Sequence, residues 1–149
     1  MQQRRAEPMT VVGAGSWGTA LAIQLAREGH PTQLWGRDGA QIDSMRQARC
    51  NQRYLPGAPF PERLQATSDL KQALEDARDT LIAVPSHAFR ATLERIKPHL
   101  GEGQRVAWAT KGFETASGKL PHQVAQEVLG VRPGAVLSGP TFAKEVGAG

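Results

Sequence analysis

A glycine-rich segment, Gly13-Ala14-Gly15-Ser16-Trp17-Gly18, constrains the fold more than any other feature of this chain. The β-branched run Met9-Thr10-Val11-Val12 precedes it, and apolar residues at helical spacing follow it as far as Ala26. In a strand-turn-helix unit, Gly13 makes the tight turn, Gly15 lets a pyrophosphate approach the backbone, and Gly18 lets helix and strand pack closely. The pattern therefore predicts a phosphate site built from backbone N–H groups at a helix N-terminus.

Strand-like and helix-like stretches alternate along the 149 residues, which predicts an α/β fold with a parallel sheet. The strand candidates are residues 9–13, 32–36, 65–67, 80–84, 105–109 and 135–138. The helix candidates are residues 17–28, 40–46, 70–77, 87–96 and 120–129. Six strands match a Rossmann-type, doubly wound, mainly parallel sheet in the order 3-2-1-4-5-6. We expect residues 1–149 to form a single dinucleotide-binding domain.

Residues that favour helix caps stand between these stretches and predict where the helices begin and end. Asp69, Ser86 and Asp38 stand where side-chain N-caps are needed, and Gly29 fits a left-handed helix cap. Between residues 47 and 67 the pattern lapses into a long proline-rich connection, of a length that is commonly functional or disordered.

Composition excludes several other classes of protein. A lone Cys50 cannot form an internal disulfide, and the cysteine and histidines have no metal-ligand spacing, so we expect a reducing cytoplasm and no metal site. The aliphatic run Leu81-Ile82-Ala83-Val84 is far short of the roughly 20 residues that span a bilayer, and the first residues do not resemble a signal peptide. The net charge of +4 comes from scattered Lys and Arg without interleaved aromatic residues, which argues against nucleic acid.

Ligands of such sheets bind outside the carboxyl ends of the strands, where charged and small residues follow here. After the second strand, Arg37 favours a 2′-phosphate, while Asp38 is either a ribose ligand or, as we favour, a helix cap. NAD and NADP are both compatible with this end, with a preference for NADPH. Lys111 can offer a mobile charge to a phosphate or carbonyl, and Gly139 and Thr141 offer donors to an anion. The alternatives are a solvated surface lysine and a simple turn.

Taken together, these segments resemble bacterial NAD(P)-dependent glycerol-3-phosphate dehydrogenase along nearly the whole chain. The similar segments are Gly13-Ala14-Gly15-Ser16-Trp17-Gly18-Thr19-Ala20, Asn51-Gln52-Arg53-Tyr54-Leu55-Pro56-Gly57, Val84-Pro85-Ser86, Thr110-Lys111-Gly112-Phe113-Glu114 and Ser138-Gly139-Pro140-Thr141-Phe142-Ala143-Lys144-Glu145. By this resemblance, the positions that match cofactor contacts are Ser16, Trp17, Arg37, Lys111 and Ala143. The positions that match contacts to glycerol 3-phosphate are Lys111, Gly139 and Thr141.

The resemblance implies hydride transfer between NAD(P)H and the carbon that is a ketone in dihydroxyacetone phosphate and an alcohol in glycerol 3-phosphate, for glycerophospholipid synthesis. In the family, the proton donor is a lysine beyond residue 149, in a largely helical second domain. Lys144 belongs to a different signature. We therefore expect no catalytic residue in this chain, which would be an inactive amino-terminal half of a cytoplasmic enzyme. A homodimer of the full-length enzyme is compatible with the resemblance.

Three other classes of protein compete with this interpretation. Ser16 stands one residue short of the nucleophile elbow of α/β-hydrolases, but only eight residues precede its strand, whereas that elbow follows a central strand reached after several others. A non-catalytic nucleotide-binding or redox-sensor module would use the same glycines, yet has no evident need for Lys111 and the segment at 138–145. Other two-domain dehydrogenases with this fold are a third possibility, and the signatures at 51–57 and 138–145 argue against them.

Overall fold

The computed structural model describes residues 6–130, 134–136 and 146–147. The strands are β1 Met9–Val12, β2 Thr32–Trp35, β3 Cys50–Asn51, β4 Leu55–Pro59, β5 Leu64–Thr67, β6 Asp79–Ile82, β7 Arg105–Trp108 and β8 Gly134–Val136. The helices are α1 Ser16–Arg27, α2 Gly39–Ala48, α3 Leu70–Glu75, α4 Ser86–Ile96 and α5 Pro121–Leu129, and a 3₁₀ turn, Lys97–His99, follows α4. Within these ranges, no helix has the length and apolar character needed to cross a membrane.

Six strands form one parallel sheet in the spatial order β5-β2-β1-β6-β7-β8. Numbered along the chain without the separate pair β3 and β4, this is the order 3-2-1-4-5-6. The predicted Rossmann-type, doubly wound α/β fold is therefore confirmed. Its order reverses between β1 and β6, where ligands of such sheets bind.

Helices cover both faces of the sheet, and each face has its own apolar core. One core joins the sheet to α1 and α2, with Val11, Ile23, Leu34 and Ile42 among its buried members. The other core joins the opposite face to α3, α4 and α5. Its buried members include Val12, Leu74, Phe89, Leu93, Ile96, Val106, Trp108 and Val128. Burial on both faces explains why consecutive residues of the central strands are both apolar, as in Val11-Val12 of β1 and Leu81-Ile82 of β6.

The helix boundaries confirm two of the three predicted N-caps. Asp38 accepts hydrogen bonds from the backbone N–H groups of Ala40 and Gln41, and Asp69 accepts one from Gln72. The prediction for Ser86 is wrong, because Pro85 occupies the N-cap of α4 in extended conformation and Ser86 is already the first helical residue. Gly29 has a φ of +96°, in agreement with a left-handed residue after α1.

The proline-rich connection predicted between residues 47 and 67 is ordered in the structure, so the disordered alternative is wrong, and the predicted strand at 65–67 is confirmed as β5. Helix α2 continues to Ala48, and β3 and β4 pair as an antiparallel hairpin. Arg49 ends the helix in left-handed conformation with a φ of +51°. Its guanidinium donates to the carbonyl oxygens of Pro61 and Leu64, both at 2.8 Å, and so fixes the segment that leads into β5.

Candidate functional site

The loops that leave the carboxyl ends of the central strands lie side by side at one edge of the sheet. Backbone hydrogen bonds run across this edge: Gly13 N–H donates to Trp35 O at 2.9 Å, and Ala83 N–H donates to Val12 O at 2.9 Å. Ala109 N–H likewise donates to Ile82 O at 2.9 Å. The parallel register thus continues one residue past each strand and brings the loops after β1, β2, β6 and β7 together.

The three glycines of the first loop have three different surroundings. Gly13 has a φ of +122°, and a Cβ there would overlap the carbonyl oxygen of Ala83. A Cβ on Gly18 would overlap the carbonyl oxygen of Gly13. Within the described part of the chain, and apart from Gly15 and its two neighbours, no heavy atom lies within 4 Å of the place a Gly15 Cβ would take. Packing therefore requires glycine at 13 and 18, while at 15 glycine leaves open space beside the backbone.

That open space lies at the N-terminus of α1. Gly15 is the N-cap, no side chain of the described residues caps the helix, and its first turn holds no acidic residue. The first N–H groups of a helix have no intrahelical acceptor, and the helix dipole places partial positive charge there. Ser16 is exposed at this end, whereas Trp17 is half-buried and packs against the core. This arrangement suits an anion such as a pyrophosphate.

Beyond β2, the structure separates the roles of Arg37 and Asp38. The Asp38 carboxylate caps α2, with Oδ1 at 3.1 Å from Ala40 N and 3.2 Å from Gln41 N. The Arg37 side chain is exposed at the same edge. Gly36 brings this end against the glycine loop, since a Cβ there would lie 2.9 Å from the Ala14 Cβ. The favoured capping role of Asp38 is confirmed. Arg37 is exposed to solvent at the carboxyl edge of the sheet.

Lys111 leaves the sheet after β7, beside the start of α4. Thr110, which is buried, donates its hydroxyl to the Val84 carbonyl at 2.7 Å and so joins the loops after β6 and β7. Gly112 turns with a φ of +85°, and its Cβ would lie 4.0 Å from the Ser86 hydroxyl oxygen. Lys111 itself is exposed.

Asn51 has a role at the site that sequence reasoning missed. Its side chain is 0% exposed, and its Nδ2 donates to the carbonyl oxygen of Ala14 at 3.0 Å and to the Thr19 hydroxyl at 2.8 Å. The sequence contained one signal, because Asn51 begins the segment Asn51-Gln52-Arg53-Tyr54-Leu55-Pro56-Gly57. Its partners could not be read from that segment, since they lie 37 and 32 residues away.

Glu114 is a second residue whose role was missed, and it anchors the segment that follows Lys111. Arg90 on α4 donates to both carboxylate oxygens of Glu114, at 2.8 and 3.1 Å, and the Ser117 hydroxyl donates to Oε1 at 2.6 Å. These hydrogen bonds, with Arg90 as the main cause, lower the pKa of Glu114 to about 2. Arg90 also pairs with Glu127 on α5 at 2.7 Å. The loop after β7 is thus fastened to two helices.

Three predicted site residues, Gly139, Thr141 and Ala143, lie outside the residues that the structure describes. Gly13, Gly15, Ser16, Trp17, Gly18, Arg37 and Lys111 all follow strands at the carboxyl edge of the sheet. Residues 6–130, 134–136 and 146–147 contain no group of three or more His, Cys, Asp or Glu that could hold a metal ion.

This edge suits a ligand that has one anionic group at its centre, where backbone N–H groups of the protein would bind it, and a further anionic group at one end. It combines an uncapped helix N-terminus, space beside Gly15, and the cations Arg37 and Lys111, while the nearby carboxylate of Asp38 is engaged by α2. A dinucleotide whose pyrophosphate meets Gly15 fits these features.

Comparison with known proteins points in the same direction. The family model described as NAD-dependent glycerol-3-phosphate dehydrogenase N-terminus matches residues 8–149. The chain is 56% identical over 142 residues to a curated protein of Serratia marcescens named glycerol-3-phosphate dehydrogenase [NAD(P)+], which covers 95% of this chain and 42% of that protein. A protein of the same name from Tolumonas auensis shows the same identity and coverage.

Solved structures give the same result. The crystal structure of glycerol-3-phosphate dehydrogenase from Coxiella burnetii has a TM-score of 0.91 and 48% identity, and the match covers 96% of this chain and 44% of that one. The enzyme from Saccharomyces cerevisiae has a TM-score of 0.82 and 26% identity, with 97% of this chain and 45% of that one covered. The chain therefore spans less than half the length of the relatives that it matches.

Proposed function

The chain belongs to the family of NAD-dependent glycerol-3-phosphate dehydrogenases, whose amino-terminal part it matches over residues 8–149, and from this premise we propose that residues 1–149 form the cofactor-binding domain of such an enzyme. The whole enzyme interconverts dihydroxyacetone phosphate and glycerol 3-phosphate with NAD(P)H, and the small-molecule substrate meets the cofactor at the carboxyl edge of the sheet. The family match favours this function over a non-catalytic nucleotide sensor.

The open space beside Gly15, directly before the uncapped N-terminus of α1, is the observation that carries this proposal. Neither packing nor backbone conformation requires glycine there, because the φ of Gly15 is −79°. A pyrophosphate that approaches this backbone gives the glycine a function. Gly13, Gly15, Ser16, Trp17 and Gly18 would hold the pyrophosphate through the loop backbone and the first N–H groups of α1.

The adenosine end of the cofactor would lie at the end of β2. Arg37, exposed there, would pair with the 2′-phosphate of NADP(H), while the Asp38 carboxylate is turned toward α2, where its Oδ1 accepts from the N–H groups of Ala40 and Gln41 and is less available to the ribose. These two features support a preference for NADPH over NADH.

The reacting end would lie at Lys111. The bound nicotinamide supplies or accepts the hydride. Lys111 would contact both cofactor and substrate, with its ammonium placed to pair with the substrate phosphate. Gly139 and Thr141 would add substrate contacts, and Ala143 a cofactor contact. The catalytic proton donor would come from outside residues 1–149, because the relatives are more than twice as long as this chain. A cytoplasmic location, a homodimer and a role in glycerophospholipid synthesis rest on family membership.

Fluorescence titration of the 149-residue chain with NADPH and NADH tests the proposal, since Trp17 lies at the start of α1. We expect both cofactors to bind and Arg37→Ala to weaken NADPH binding about tenfold or more, because a hydrogen-bonded charge pair contributes roughly 1.5–3 kcal/mol. NADH binding should stay within about twofold.

Arg46→Ala is the matched control, since this exposed arginine in the last turn of α2 carries the same charge but lies away from the glycine loop. Absence of cofactor binding by the wild-type chain would contradict the proposal as a whole. A fall in NADH binding with unchanged NADPH binding in Arg37→Ala would contradict the phosphate contact alone.

A further inference from the structure

The hairpin of β3 and β4 connects to the glycine loop through a single buried side chain. Asn51, in β3, is 0% exposed, and its amide nitrogen donates to Ala14 O at 3.0 Å and Thr19 Oγ1 at 2.8 Å. Its amide oxygen accepts from the backbone N–H of Tyr54 at 3.2 Å. A buried amide with partners on both its nitrogen and its oxygen is held in one orientation.

The orientation of this amide determines where the next backbone N–H points. The carbonyl of Ala14 and the N–H of Gly15 belong to one peptide group, and a trans planar peptide directs its C=O and N–H to opposite sides. Asn51 draws the carbonyl inward, toward the buried side of α1 and the hairpin. The Gly15 N–H therefore points away from Asn51, on the opposite side of the peptide from this buried hydrogen bond.

We propose that Asn51 is a positioning residue of the dinucleotide site: its amide fixes the Ala14–Gly15 peptide so that the Gly15 N–H meets the pyrophosphate. This inference rests on the function proposed above. Prior orientation of the donor reduces the ordering that binding would otherwise require. The inference also gives a role to the segment Asn51-Gln52-Arg53-Tyr54-Leu55-Pro56-Gly57, whose hairpin supplies this amide from outside the main sheet.

The bond from Asn51 to the Thr19 hydroxyl extends this role to the helix. Thr19 is 0% exposed, and its N–H donates to Gly15 O at 3.0 Å, the first hydrogen bond of α1. One amide therefore holds both the loop before the helix and its first turn. Gln41 reaches the same Ala14 carbonyl at 3.5 Å, a weaker contact from α2.

The test compares ligands that contain a pyrophosphate with one that does not. Asn51→Asp keeps the shape of the side chain but places an acceptor against the Ala14 carbonyl. We expect this variant to bind NADPH and ADP-ribose about tenfold or more weakly than the wild-type chain, because the Gly15 N–H would no longer be oriented to donate to the charged pyrophosphate. Binding of adenosine 2′-monophosphate, which lacks the pyrophosphate, should stay within about twofold.

Three further variants separate positioning from general stability. Cys50→Ala alters the neighbouring residue of β3, whose thiol lies near Leu55 O, and should leave all three affinities unchanged. Thr19→Ser keeps the accepting hydroxyl and should behave as the wild type. Thr19→Val removes that hydroxyl and should weaken the pyrophosphate ligands selectively, so it carries the test if Asn51→Asp does not fold. In the amide NMR spectrum, the Gly15 resonance should move in Asn51→Asp.

Unchanged NADPH affinity in folded Asn51→Asp and Thr19→Val would overturn the inference. So would an equal loss of all three ligands, since this would show a structural role without selectivity for the pyrophosphate. Failure of the wild-type chain to bind NADPH and ADP-ribose would instead contradict the proposed function itself, and the two failures are thus distinguishable.

Discussion

Gly15 and Gly18 belong to one motif but have different roles, and replacing each of them by alanine distinguishes these roles. At Gly15 the φ of −79° suits alanine, and no atom of the residues that the structure describes would clash with a Cβ. At the N-cap, alanine is less favourable than glycine, whereas the reduced freedom of the unfolded chain favours it, and these opposed effects are each within about 1 kcal/mol. Gly15→Ala should therefore change stability by less than about 1 kcal/mol while it weakens NADPH binding about tenfold or more.

Gly18→Ala should differ from Gly15→Ala, because its main effect should be a loss of stability. Its Cβ would overlap the backbone carbonyl of Gly13, which cannot move without displacing the turn. We expect a loss of about 1–3 kcal/mol in the free energy of unfolding, since overpacking outweighs the better helix propensity of alanine. Urea denaturation and NADPH titration of both variants check the pair. Equal stability losses at the two positions would contradict the division of roles.

Residue roles were predictable from sequence where their cause is local. The turn at Gly13 follows from the spacing of the glycines, and capping by Asp38 follows from its place just before a helix. The roles of Asn51 and Glu114 could not be predicted from sequence. Asn51 bonds residues 32 and 37 positions away, and Glu114 bonds a residue 24 positions away. The fold must be known before such partners can be paired.

The loop after β7 is held by an ion-pair network centred on Arg90 and Glu114. Arg90 and Ser117 hold the pKa of Glu114 at about 2, below the value of roughly 4.3 expected in the unfolded chain. Between these two values the unfolded state binds more protons than the folded state, so the contribution of Glu114 to stability is complete above about pH 4.3. It is lost as the pH falls toward about 2.

In the Glu114→Gln variant, the free energy of unfolding should therefore fall less steeply as the pH is lowered below about 5. The urea midpoint of the wild-type chain should fall between pH 5 and pH 2 more steeply than that of the variant, and the difference between them should shrink as the pH falls. Glu75→Gln, at the end of α3 and outside this network, is the matched control. Parallel profiles for the wild type and Glu114→Gln would show that the pair with Arg90 does not form in solution.

Element types were predictable from periodicity, whereas the hairpin was not. Each strand of the main sheet was located to within one or two residues, because burial on both faces leaves apolar runs such as Val11 and Val12. The pair β3 and β4 lacks that signal. Strand β3 has two residues and β4 contains Pro56 and Pro59, which only an edge or an isolated pair tolerates. Asn51 bonds the pair to the glycine loop and α1, and Leu55 and Ala58 of β4 are buried in the core, which are contacts that no local pattern reveals.

For the molecule as a whole, strand order decides which loops can share a ligand. The order β5-β2-β1-β6-β7-β8 places the glycine loop between the loop of Arg37 on one side and the loops of Ser86 and Lys111 on the other. A dinucleotide laid across this edge would extend from Arg37 to Lys111 with its pyrophosphate at the reversal point. On the function proposed above, the nicotinamide would lie at the Lys111 end of this edge.

The 149-residue chain should accordingly bind cofactor without turning it over. Hydride transfer to dihydroxyacetone phosphate needs a proton donor at the carbonyl oxygen and exclusion of water, and the relatives have more than half their length outside the matched region. We expect no NADPH oxidation above background when dihydroxyacetone phosphate is added to the chain, under conditions where fluorescence shows the cofactor bound. The full-length Serratia marcescens relative is the positive control. Turnover by this chain that disappears in Gly15→Ala would place the complete catalytic apparatus within residues 1–149.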